Sequence, residues 1–184
     1  MEPVLFAAIF PPPDVLAAIA SVQDEVRARL PGRITWVAPE RMHVTVFYFG
    51  AERADGTAEV ERWVGWALDT VRAGAFELEL SGLGIVRQRI GDGHRSILLD
   101  GGGCKPLCDL ASRVNRDANR PPHLTLGRTR QRLALPALAA PRIAFRAERI
   151  VLVRSVRDGG ERSYHRLREW ELPGGATLWR GWGA

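Results

Sequence analysis

Residues 43–46 read His43-Val44-Thr45-Val46, and residues 123–126 read His123-Leu124-Thr125-Leu126. Each segment is histidine, apolar, threonine, apolar. In an extended strand, successive side chains point to opposite faces, so each His shares a face with its Thr. The apolar residues fill the other face. Two such strands side by side would line a cleft with two imidazoles and two hydroxyls. An imidazole with a pKa of about 6.5 can take or give a proton near neutrality. The hydroxyls can hold an oxyanion. The repeated pattern uses two of the four histidines in the chain, which sets it apart from a solitary polar pair on a solvated strand.

The segments around these motifs must position them. Val4 to Phe10 reads as a buried strand that ends at Pro11-Pro12-Pro13. Asp14 is placed to cap a helix over residues 15–30, with Val15, Leu16, Ile19, Val22 and Val26 on one stripe. Ile34 to Val37 is a short extended piece, and Met42 to Phe49 is the first motif's strand. Residues 57–72 form a second amphipathic pattern. Phe76 to Leu80 alternates with period two, and Ile85-Val86 continues it past Gly82 and Gly84. Ser96 to Leu99 reads as a strand, the glycine triplet 101–103 as a turn, and residues 104–116 as a helix. Arg120-Pro121-Pro122 is a break before the second motif. Further strands fit residues 143–154 and 163–172, and the Gly- and Trp-rich tail from Pro173 has no assigned element. Each half holds a helix followed by a His-x-Thr strand. The expectation is one α+β domain over residues 1–184 with two similar lobes. Each lobe is an antiparallel sheet with helices packed outside, and one motif strand from each lines a central cleft.

Of the 184 residues, 46% are hydrophobic, enough for a real core. No apolar run is long enough for a membrane span, and Met1 to Val4 lack a basic region ahead of the first apolar stretch. The expected setting is cytoplasmic and the expected state a monomer. The net charge is +5 and comes from arginine, since Lys105 is the only lysine. Arginine's planar fork suits phosphate, and a basic balance favours anionic partners. Cys104 and Cys108, at i and i+4, read as two thiols rather than a metal site.

The chain resembles the 2H phosphoesterase superfamily, whose members carry two His-x-Thr/Ser-x motifs. It is most similar to the bacterial RNA 2′,3′-cyclic phosphodiesterases, also called 2′-5′ RNA ligases. The residues that carry the likeness run from Trp36-Val37-Ala38-Pro39-Glu40-Arg41-Met42 through the first motif to Phe47-Tyr48-Phe49-Gly50. Pro122 to Arg128 resembles the family's second signature. Leu5 to Ile9, Leu152 to Ser155, Tyr164 and Trp170 to Leu172 resemble its outer strands. The chain departs from the pattern in three places. Val4 stands where the family usually has arginine, the segment from Asn115 to Arg120 is short, and Arg87-Gln88-Arg89 replaces a Phe-Pro-rich stretch.

Opening a cyclic phosphodiester needs a base on water and an acid at the leaving ribose oxygen, on opposite sides of phosphorus. His43 and His123 are the candidates for those roles. The resemblance implies His43 as acid and His123 as base; the residue pattern fits either direction. Thr45, Thr125 and Arg128 are candidate donors to the phosphoryl oxygens. Phe47, at i+4 from His43, and Trp36 are candidates for stacking a base. His94 and His165 lack the motif and read as non-catalytic. No metal or other cofactor is expected. The expected substrate is RNA with a 2′,3′-cyclic phosphate end or a related nucleotide, hydrolysed to a 2′-phosphate, with 2′-5′ ligation as the reverse reaction. The alternatives are another cyclic nucleotide or 2′-5′ linked oligonucleotide on the same fold, a non-catalytic RNA-end binder, and a metallohydrolase that uses the histidines as ligands.

Overall fold

The three helical segments read from the sequence become helices in the computed structural model: α1 (Pro13–Arg29), α2 (Gly56–Val71) and α3 (Lys105–Val114). Residues 2–53, 56–71, 73–87, 94–102, 104–114, 122–135, 141–159 and 161–174 are described. Gln88 and Arg89, Gly103, residues 115–121 and the tail from residue 175 lie outside them, along with the sequence readings that fall there. No described helix is long and apolar enough to cross a membrane.

Helix α1 starts differently from its expected form. Pro12 occupies the cap position with no side-chain hydrogen bond, and Asp14 lies inside the first turn. Proline tolerates that start because the first helical N–H groups have no intrahelical partner, and an acid there suits the helix dipole.

The main sheet has eight strands. Its path is β10 (Glu161–Glu171), β9 (Arg149–Asp158), β1 (Val4–Ile9), β3 (Val44–Ala51), β7 (His123–Thr129), β6 (Arg95–Asp100) and β5 (Leu83–Arg87), and β2 (Thr35–Trp36) adds to β7. All its recorded pairings are antiparallel. A separate two-stranded sheet pairs β4 (Phe76–Ser81) with β8 (Arg142–Ala147). The class is α+β, as expected. The two halves share one hydrogen-bonded path, joined at β3–β7 by the single registered pair Val44–Leu124.

Two strand readings are corrected. Residues 143–154 are two strands in different sheets, split at Glu148. Phe145 and Ala147 are buried in one and Ile150 and Leu152 in the other. The step of three from 147 to 150 breaks the alternation. Ile85-Val86 does not extend β4: Gly82, with φ +81°, turns the chain into β5, which pairs with β6.

One face of the main sheet packs on the helices. Ala7, Ile9, Val44, Val46, Ile97, Leu99, Leu124 and Leu126 meet Ile19, Val26, Val64, Leu68, Leu107 and Leu110 in the core. The opposite face carries a small second cluster of Phe6, Ala8, Val151 and Val153, flanked by Phe10 and Tyr164.

Candidate active site

Val44 and Leu124 are fully buried on the core side, so the neighbouring His and Thr residues turn to the other face. With Val44 opposite Leu124 in antiparallel register, His43 runs toward Thr125 and Thr45 toward His123. Both motifs thus present their polar residues on one sheet face, from adjacent strands.

Each motif strand then skips one residue. On β3 the register against β1 passes from Ala8–Thr45 to Ala7–Phe47, leaving Val46 as the extra residue. On β7 the register against β6 passes from Leu98–Thr125 to Ile97–Gly127, leaving Leu126 extra. A bulge of this kind shifts the alternation by one. Residues 46 and 47 both face the core, and Tyr48 comes out on the motif face opposite Phe6. On β7 the same step brings out Arg128, opposite Ser96.

The bulges correct the stacking candidates. Phe47 is 2% exposed and packs edge-on to Trp63 of α2 at 5.2 Å, on the core side. Tyr48, 63% exposed, holds the position expected of Phe47. Trp36 also lies on the core side: its ring sits over Gly127, where a Cβ would come within 3.0 Å of it, and Arg27 of α1 lies 5.2 Å from its centre. The β7 bulge is anchored from α1. The buried Gln23 amide donates to the carbonyls of Leu126 and Val37, both at 2.8 Å, and Val37 N–H donates to the same Leu126 carbonyl at 2.9 Å.

His43 sits in an aromatic box. Phe6 stacks on it at 4.8 Å, Phe10 lies at 5.6 Å, and Tyr164 of β10 meets it edge-on at 5.5 Å. Its Nδ1 lies 2.7 Å from the Arg41 carbonyl. A carbonyl only accepts, so Nδ1 carries the proton and Nε2 holds the lone pair of the neutral ring. Burial pushes the pKa down to about 4, against the Arg41 carbonyl, which raises it. Electrostatic interaction with Arg128, His123 and Arg162 lowers it further. His43 is neutral at pH 7.

Arg128 is largely buried, and its Nε has no hydrogen-bond partner. Burial, then the charge of Arg162, hold its pKa below the usual arginine value; Tyr164 opposes this, and Arg157 and Arg41 add to it. These groups come from β9, β10 and the turn before β3. Reading the sequence missed Arg41, Arg157, Arg162, Phe6 and Phe10 as neighbours of the motifs. The alternation Arg162-x-Tyr164-x-Arg166 was the available signal, since it sets three such residues on one strand face. His165 falls between them, and His94 lies beside Arg130, with 3.4 Å between its Nε2 and the arginine Nε. Cys104 and Cys108 are free thiols whose pKa is raised by burial. Among the described residues no three His, Cys, Asp or Glu side chains gather as metal ligands.

Residues 9–92 match the family model described as LigT-like phosphoesterase; this span includes the first motif. Among solved structures, E. coli LigT with phosphate superposes with a TM-score of 0.70 at 23% identity, covering 95% of this chain and 100% of LigT. E. coli LigT in apo form gives 0.67 at 25%, with the same coverages. The Thermus thermophilus protein TT0787 gives 0.67 at 24%, covering 93% of this chain and 98% of its own. No curated protein matches the chain. The resemblance drawn from the two His-x-Thr strands is borne out: residues 9–92 match the LigT-like phosphoesterases of the 2H superfamily, and nearly the whole chain has the LigT fold.

Proposed function

We propose that this protein hydrolyses RNA 2′,3′-cyclic phosphate ends to 2′-phosphates without a metal, by acid–base work of His43 and His123, with 2′-5′ ligation as the reverse reaction. The reading rests on one arrangement: two His-x-Thr pairs on the same face of adjacent strands, beside a buried arginine whose Nε has no protein partner. Thr45, Thr125 and Arg128 donate to the phosphoryl oxygens, whose demand for hydrogen bonds grows in the transition state. E. coli LigT has been solved with phosphate and with 3′-AMP, which supports a nucleotide substrate here. The protein acts as a cytoplasmic monomer in this reading.

The neutral, Nδ1-protonated state of His43 favours a direction opposite to the one the resemblance implies. Its free Nε2 lone pair takes the proton of the attacking water. His123 then gives a proton to the 3′ oxygen as the P–O3′ bond breaks. The test is a short RNA ending in a 2′,3′-cyclic phosphate, in EDTA, with wild type, His43→Ala and His123→Ala. Conversion to a 2′-phosphate by wild type alone supports the reaction; full activity of either variant overturns it. A substrate with sulfur at the 3′ bridging position needs no acid at the leaving atom. It should rescue His123→Ala and leave His43→Ala inactive, and the reverse pattern would exchange the roles.

A further inference from the structure

Arg157 and Arg162 stand directly across from one another on β9 and β10. They share the face of Ser155 and Tyr164, the next such pair along the strands, and Tyr164 touches His43. Like charges in opposed positions on neighbouring strands destabilise a sheet. Arg41 joins them, its Nη1 donating to the Arg162 carbonyl at 3.0 Å. Arg128 completes a set of four guanidinium groups. The ion pairs recorded among the described residues involve none of the four. The nearby Arg154 shows the contrast, since it faces the other side and is clamped to Glu52.

One cyclic phosphodiester carries a single negative charge. It balances Arg128 and leaves the cross-strand pair uncompensated. Arg162 lies two residues along β10 from Tyr164, a step of about 7 Å, comparable to the separation of successive phosphates along a nucleic-acid strand. The sequence also lacks a cation on β1, where Val4 pairs with Ser155 on this same face. The charge at this end of the face comes from β9 and β10.

Building on the proposed reaction, we infer that Arg157 and Arg162 form a second phosphate subsite. It would take the 5′ phosphate of the terminal nucleotide, so the substrate class is a cyclic phosphate end that bears at least one further phosphate.

The test separates this subsite from the reaction itself. Adenosine 2′,5′-bisphosphate and 2′-AMP are titrated calorimetrically into wild type, Arg157→Gln and Arg162→Gln. Wild type should bind the bisphosphate about tenfold or more tighter, the scale of one well-placed charge-assisted contact. The ratio should fall toward one in both variants. Equal binding of the two ligands by wild type, or an unchanged ratio in folded Arg157→Gln, overturns the subsite. Arg157 is exposed, so that variant keeps the test available if Arg162→Gln does not fold. Hydrolysis is measured separately. Turnover without bisphosphate preference sinks the subsite alone, and preference without turnover sinks the reaction and leaves the subsite standing.

Discussion

Phe6 lies against the ring of His43, with centroids 4.8 Å apart and planes inclined by 27°. A residue of β1 thereby strips water from one face of an imidazole at the start of the neighbouring strand β3. Opening that face should return the ring toward ordinary behaviour. In Phe6→Ala, the His43 midpoint should rise from about 4 toward the model-compound 6.5. Titration of the ring Cε1–H signal by NMR checks this, and an unmoved midpoint would remove Phe6 as the cause.

The same shift has a signed effect on stability. The unfolded chain binds a proton at His43 near pH 6.5 and the folded chain only near pH 4. Acid therefore favours the unfolded state, and stability should fall as pH drops from about 6.5 to about 4. Denaturant midpoints across that window should be flatter for His43→Gln than for wild type. Identical slopes would mean that other groups set the acid response.

Thr45→Val and Thr125→Val remove one hydroxyl each from the motif face and keep strand propensity. If both hydroxyls serve the transition state, each change should lower kcat by about 10²–10³ with a smaller effect on KM. A raised KM at constant kcat would assign them to ground-state binding.

Phe47 and Tyr48 should respond in opposite ways. Phe47→Ala opens the core and should cost about 3–5 kcal/mol of stability. Tyr48→Ala should leave the melting temperature nearly unchanged and raise KM for an RNA end. A stable Phe47→Ala protein would contradict the bulge at Val46.

Gly127→Ala would place a Cβ 2.9 Å from Ile34 Cγ2 and 3.0 Å from the Trp36 ring. Overpacking of this kind costs about 1–3 kcal/mol. The loss should shrink in the double variant with Trp36→Leu, and strict additivity would exclude the contact as its origin.

The local part of this molecule was legible in the sequence. Strand alternation put His and Thr together, apolar stripes gave the first two helices to within a few residues, and the glycine triplet marked where the third begins. What escaped was nonlocal. The bulges at Val46 and Leu126 exist only against β1 and β6, so strict alternation sent Phe47 to the wrong face. The break at Glu148 marks a change of sheet, which pairing decides and composition does not. Arg157 and Arg162 meet across a hairpin whose register is fixed by the ladder of β9 and β10, and the Arg41 carbonyl reaches His43 through the turn between Pro39 and Met42.

The two bulges leave the halves nearly interchangeable up to one position. After His-x-Thr, the same skip brings out Tyr48 on one side and Arg128 on the other. A small anion midway between the strands would meet matching imidazoles and hydroxyls from left and right. It could not tell one end of this sheet face from the other by those groups. The aromatic ring and the guanidinium break that tie, and under the proposed reaction they would give an RNA end one direction across this sheet face.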